Sequence, residues 1–136
     1  MDWKLELIIV GVADVDRAKD FYVGKLGFHL DVDHAMGDAF RVVQVTPPGS
    51  ACSITFGVNV GAGEPGATKG VHFVVADIEA AAAQLDGAGV EHGGIQHFVD
   101  GAMTPGPDPE RRDYNSFVFF ADPDGNSLVL QHVNPK

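Results

Sequence analysis

The strongest constraint on this chain is that it repeats itself. Residues 12–18, VADVDRA, and residues 75–81, VADIEAA, align without a gap at an offset of 63 residues. Val12, Ala13, Asp14 and Ala18 recur as Val75, Ala76, Asp77 and Ala81, and Val15 and Asp16 recur as Ile78 and Glu79. Both copies sit at the same kind of junction: a branched apolar run (LELIIVGV, 5–12, and KGVHFVV, 69–75), an aspartate suited to cap a helix, then apolar residues at helical spacing. A match of this kind calls for one strand–helix unit used twice.

The residues after each junction extend the unit. In the first copy Val15, Ala18, Phe21, Tyr22 and Leu26 predict a helix over 14–28 that Gly27 ends. Strands are expected at 28–34, 40–46 and 52–58, separated by the turns MGDA and TPPGSA. In the second copy Ile78, Ala81, Ala82, Leu85 and Ala88 face inward on a helix. Strands are expected next around 94–98, 115–121 and 127–133, the last two joined by Asp122-Pro123-Asp124-Gly125-Asn126. The expected fold is therefore α+β, with two βαβββ modules at about 4–58 and 69–133 in a single domain, 1–136, and a glycine-rich linker at 59–68. The stretch 100–114, DGAMTPGPDPERRDY, has three prolines and no periodicity, and a loop of that length in a small domain is often functional.

Composition narrows the partners. A chain of 136 residues, 45% hydrophobic with nine Phe, has the material for a core. Its formal charge of −10 and nine Lys plus Arg argue against nucleic acid or an anionic membrane surface, which need clustered cations. Cys52 stands alone and has no internal disulfide partner, no apolar run approaches a bilayer span, and MDWKLEL lacks the pattern of a secretory leader. A cytoplasmic location is expected. There is no GxSxG, no P-loop, no GxGxxG, and no base placed near Cys52.

The segments VADVDRAKDFYVGKLGF, VVADIEAA and FFADPDGNSLVLQ, in that order, resemble the vicinal oxygen chelate superfamily, which includes glyoxalase I, bleomycin-resistance proteins, fosfomycin-resistance enzymes and extradiol dioxygenases. The likeness covers nearly the whole chain. It implies two βαβββ modules whose sheets curl around a cavity with helices outside, and commonly a homodimer. Metal-using members hold a divalent ion, such as zinc, nickel, manganese or iron, with His, Gln or Glu side chains that polarise two substrate oxygens. Carried onto this sequence, the ligand positions are Leu7 (seven before Asp14), Gly70 (seven before Asp77), Val129 (seven beyond Asp122) and Ile54, within SITF. None is a donor. The resemblance thus implies the metal-free, bleomycin-resistance-like branch: no cofactor, and a small apolar or aromatic metabolite or antibiotic as partner.

Strand alternation places His72 with Gly70 and Gln131 with Val129, so both are expected to orient a ligand, unless they serve only as interior groups bonding each other or backbone. Leu7 and Val129 would line the same pocket. Phe56 shares parity with Ile54 and is expected there too, whereas Phe117 and Phe119 read as core. Arg111, Arg112 and Tyr114 form a candidate lid, the alternative being a solvated loop whose arginines answer Asp108, Glu110 and Asp113. Arg41, on a face with Val43 and Val45, hints at a charge near the cavity mouth. His29, Asp31 and Asp33 share one face of an edge strand, where charge discourages pairing with other chains. His34, His92, His97 and His132 read as surface or rim residues. Two other readings stand beside sequestration: a glyoxalase-like lyase, isomerase or dioxygenase using a shifted metal site or His72 as general base, and a pocket that is only a dimer interface.

Overall fold

In the computed structural model, which describes residues 1–136, each copy of the repeat builds its own sheet. The first copy gives β1 (Leu7–Ile9), α1 (Val15–Lys19), β2 (His29–Met36), β3 (Phe40–Thr46) and β4 (Ser53–Val58). The second gives β5 (Val71–Val75), α2 (Ile78–Gly87), β6 (His92–Val99), β7 (Ala102–Pro105), β8 (Phe117–Ala121) and β9 (Ser127–His132). The class is α+β, with sheets ordered β1-β4-β3-β2 and β5-β9-β8-β6-β7. Each sheet has one parallel pair, β1 with β4 and β5 with β9, and is otherwise antiparallel. The chain divides into two compact units: 1–68 with 122–126, and 69–121 with 127–136.

The repeated aspartates do the same work in both copies. Asp14 accepts from the Arg17 N–H at 3.1 Å and Asp77 from the Ala80 N–H at 3.0 Å, each satisfying a donor that the first helical turn leaves free. The first helix departs from expectation after Lys19, continuing as a π-helical turn over Asp20–Lys25, with the Leu26 N–H reaching back five residues to Phe21. That wider turn closes the angle between successive side chains, and both Phe21 and Tyr22 end up buried. Tyr22 stacks on Phe56 at 5.5 Å, over Val43 and Val45, to make the core of the first unit. Burying each such side chain contributes about 2 kcal/mol.

The turn at 122–126 belongs to the first unit, where the side chains of Asp122 and Asn126 are bonded at each polar atom and Asp124 Oδ2 is left buried without a partner. Asp122 Oδ2 accepts from the Tyr22 hydroxyl at 2.7 Å and from Asn126 Nδ2 at 2.8 Å, while its Oδ1 accepts the N–H groups of Asp124 and Asn126. Asn126, fully buried, also donates to the Gly11 carbonyl and accepts from the Thr68 N–H. Gly66 lies against this turn at φ +78°, and a Cβ there would stand 2.2 Å from the Asp124 carbonyl oxygen.

Two expectations change. The stretch 100–114 is not a structureless loop: Asp100 and Gly101, with φ of 50° and 80°, form a two-residue reversal between β6 and β7, pairing Val99 with Ala102. Positive φ at both central residues is the hairpin geometry that Asp-Gly favours, so the signal was present in the sequence. The second module is accordingly βαββββ rather than βαβββ. Strand β2 also runs two residues beyond the predicted end at His34.

Candidate functional site

Each sheet has one face covered by its helix and one turned away from it, and pairing registers assign every side chain to a face. In the first unit Phe56 pairs with Val43 and Ile54 with Val45, all beneath the helix. Phe56 is therefore core against Tyr22 and lines no ligand surface, and Ile54 shares its face. The residue beside Leu7 in the parallel pair is Ser53, followed by Thr55 beside Ile9. The fourth-strand residue beside Leu7 is thus Ser53 rather than the expected Ile54.

Arg41 is likewise on the helix side, bonding Asp16 at 2.8 Å and Asp33 at 3.0 Å, with Lys19 reaching Asp33 at 2.8 Å. These cations hold the Asp33 carboxyl well below the usual range, Arg41 contributing most. The expected row of His29, Asp31 and Asp33 is broken by a bulge between Leu30 and Val32, which carries Asp33 to the helix side opposite Val43. Asp31 stays on the other face, where it accepts from the Thr46 hydroxyl and, at 2.8 Å, from His29 Nδ1. The Thr46 bond, then His29, lowers its pKa. Thr46 Oγ1 meets Ser53 Oγ at 2.7 Å, and Gln44 Nε2 donates to Ser53 Oγ at 3.4 Å. A polar row therefore crosses β2, β3 and β4 on the face away from the helix.

In the second unit the face away from α2 carries His72 and Val74 on β5, Val129 and Gln131 on β9, Phe117 and Phe119 on β8, and Gln96 and Phe98 on β6. His72, Val129 and Phe119 form one cross-strand row; Val74, Gln131 and Phe117 form the next. Phe117 and Phe119 stack at 5.9 Å with a 20° interplanar angle. The aromatics assigned to the core thus lie on the face with His72. Counting back through the hairpin from Val129 to Phe119 would have placed them. Their exposure is large for such residues: 60% for Val74, 50% for Phe98 and 38% for Phe119. Apolar side chains gathered on one face and left accessible mark a surface made to be covered.

The polar residues of this face are few and oriented. His72 Nδ1 lies 2.7 Å from the Gly70 carbonyl, which only accepts, so Nδ1 carries the hydrogen and Nε2 the free lone pair. Gly70 precedes β5 at φ +75°, so the count from Asp77 lands on a turn residue and His72 is what pairs with Val129. Gln131 Nε2 donates to the Tyr114 carbonyl at 3.4 Å, and Tyr114 is exposed. Arg111 goes elsewhere, pairing with Glu79 on α2. Arg112 bonds Asp108 and Glu110, as the solvated-loop alternative expects. Buried Asp108 is the hub of this segment, accepting from Arg112, Asn115 and the Glu110 N–H, and its carboxyl is held well below the usual range, chiefly by Arg112. His97 and His132 are interior rather than rim residues, bonding the Gly106 carbonyl and Asn134 Oδ1.

The donor set does not fit the divalent ion that metal-using members of the vicinal oxygen chelate superfamily hold. Leu7 and Ser53 meet in one unit and His72 and Val129 in the other, a single strong donor among four, and no three His, Cys, Asp or Glu side chains converge anywhere. No helix is long and apolar enough to cross a membrane.

The fold is that of a two-module α+β protein with one sheet of four strands and one of five. The chain belongs to the glyoxalase/bleomycin resistance protein/dioxygenase superfamily, whose family model matches residues 4–130. It is similar to TnmS3, an antibiotic binding protein from Streptomyces sp. CB03234, with 29% identity, 96% of each chain covered and a TM-score of 0.74. A glyoxalase/bleomycin resistance protein from the same organism shares 30% identity over 94% of this chain and 99% of its own, with a TM-score of 0.72. An uncharacterised protein, YetH of Bacillus subtilis strain 168, is 26% identical over 125 residues, 91% of this chain and 93% of that protein.

Proposed function

We propose that this protein binds a small, largely apolar aromatic molecule, a metabolite or an antibiotic, and sequesters it without a metal ion and without transforming it. The observation that carries the reading is the second sheet's face: stacked Phe117 and Phe119 beside exposed Val74 and Phe98, with His72, Gln131 and Gln96 as its hydrogen-bonding groups. A planar ligand there gains stacking and apolar burial together, and the polar groups fix its orientation. The likeness to an antibiotic binding protein supports this class of partner. The protein is expected to act in the cytoplasm as a homodimer.

The test is elemental mass spectrometry on untagged protein with and without added zinc, nickel, manganese or iron(II), together with titration by planar aromatic antibiotics. The expected result is no stoichiometric ion and saturable binding that Phe119→Ala weakens about tenfold, the loss of roughly 1.4 kcal/mol of stacking and burial. One ion per chain, lost in His72→Ala, would replace this reading with a metal-dependent lyase or oxygenase. A second reading is favoured by the outward lone pair on His72 Nε2, which suits a general base. Turnover of any bound compound that His72→Ala abolishes, with folding intact, would establish it.

A further inference from the structure

The polar side chains on the second sheet's open face spend N–H groups on the chain's own backbone. His72 Nδ1 donates to the Gly70 carbonyl at 2.7 Å, Gln131 Nε2 to the Tyr114 carbonyl at 3.4 Å and Gln96 Nε2 to the Gly93 carbonyl at 3.2 Å. A carbonyl only accepts, so each bond fixes which atom of the side chain faces it. What remains for a ligand is His72 Nε2, which can only accept, together with Oε1 and one further N–H of each glutamine. All three residues belong to the second unit.

Strand register sets these groups against the aromatic surface. Gln131 sits between Val74 and Phe117 in one row, with Gln96 beyond Phe117, and His72 opens the adjacent row, followed by Val129 and Phe119. Strands β5 and β8 flank β9, so His72 and Phe119 stand about 10 Å apart across the sheet. A fused ring system lying over the stacked Phe117 and Phe119 therefore reaches His72 with a substituent on its edge. His72, Val74, Phe98 and Phe119 are all exposed, so the row is open to a ligand.

We propose that this face selects a fused aromatic molecule carrying a hydrogen-bond donor on its ring edge, which His72 Nε2 accepts; this rests on the binding function proposed above. A carbonyl or ether oxygen at the same place would set lone pair against lone pair and leave Nε2 covered without a partner, a cost the donor avoids. Gln131 Oε1, one row along, offers the donor a second acceptor.

The probes are 2-naphthol and 2-methoxynaphthalene, which share a ring system and an oxygen and differ in whether that oxygen carries a hydrogen. Their affinities are measured by equilibrium dialysis with the full chain at neutral pH, where the hydroxyl keeps its proton. His72→Leu is expected to weaken 2-naphthol about three- to tenfold, the value of one neutral hydrogen bond, and 2-methoxynaphthalene less than about twofold. An equal loss for both probes, no loss for 2-naphthol, or wild-type binding of the ether alone overturns the assignment while leaving the binding function standing. Failure of wild type to bind either probe overturns both. Should His72→Leu not fold by circular dichroism, His72→Ala must show the same selective loss, and an unselective one refutes the role of Nε2.

Discussion

Replacing Tyr22 by Phe removes one oxygen from the core and tests how the 122–126 turn is held. The Tyr22 hydroxyl donates to Asp122 Oδ2 at 2.7 Å in a buried setting. A hydrogen bond to a charged group contributes about 1.5–3 kcal/mol. Asp122 keeps three other donors, the Asp124 and Asn126 N–H groups and Asn126 Nδ2, so the expected loss is about 2 kcal/mol at neutral pH, or about 8 °C in Tm for a chain of this size. The difference must also depend on pH. Burial, then the Asp122 charge, raises the Tyr22 pKa far above its ordinary value. A group whose pKa is raised on folding stabilises fully below its unfolded value and loses that contribution as pH rises. The unfolded phenol ionises above about pH 10 and gains roughly 1.36 kcal/mol per further pH unit, which the Phe variant cannot do. The gap between wild type and Tyr22→Phe should hold from about pH 6 to 9 and close at about pH 11.5. Urea unfolding at pH 7, 9, 10.5 and 11 measures it. A loss below about 0.5 kcal/mol at pH 7, or a gap that does not narrow above pH 10, would refute the idea that this hydroxyl secures the turn.

Asp33→Asn should destabilise by only about 1 kcal/mol, because Asp33, Lys19 and Arg41 remain partly exposed, and 1 M salt should shrink the effect. Since the Asp33 pKa is depressed, its contribution is present above the unfolded value near 4 and disappears as pH falls below it, so an undiminished difference at pH 2.5 in urea titrations would contradict the ion-pair account. Gly57→Ala should abolish folding or lower stability by more than about 3 kcal/mol, because the added Cβ would stand 1.9 Å from the Arg41 carbonyl oxygen on the neighbouring strand. A circular-dichroism melt within 3 °C of wild type would show that β3 and β4 are not so tightly apposed.

Much of the architecture was legible because its signals are local. The repeat, the caps Asp14 and Asp77, and the Asp122–Asn126 turn each depend on a few consecutive residues, and the structure uses them where the sequence placed them. The β6–β7 hairpin was equally local, but its Asp-Gly reversal was hidden in a proline-rich stretch. Faces were harder to read. His72 and Gln131 do share a surface with Val129, since alternation along straight strands carries parity reliably over a few residues.

Where alternation was broken or its anchor misjudged by one residue, every inference on that strand reversed. Phe56 and Ile54 went beneath the helix while Ser53 and Thr55 took the other face, and the bulge after Leu30 sent Asp33 away from Asp31. A side-chain period of two makes a slip of one residue a change of face, and only the pairing between strands fixes that count. The sequence by itself determined the two-module α+β fold, because the repeat, the caps and the turn depend only on residue type and short spacing. Tertiary structure decided which side chains share a surface, that Arg111 turns to Glu79, and that His72 shares a row with Phe119, because these depend on register between strands far apart in the chain.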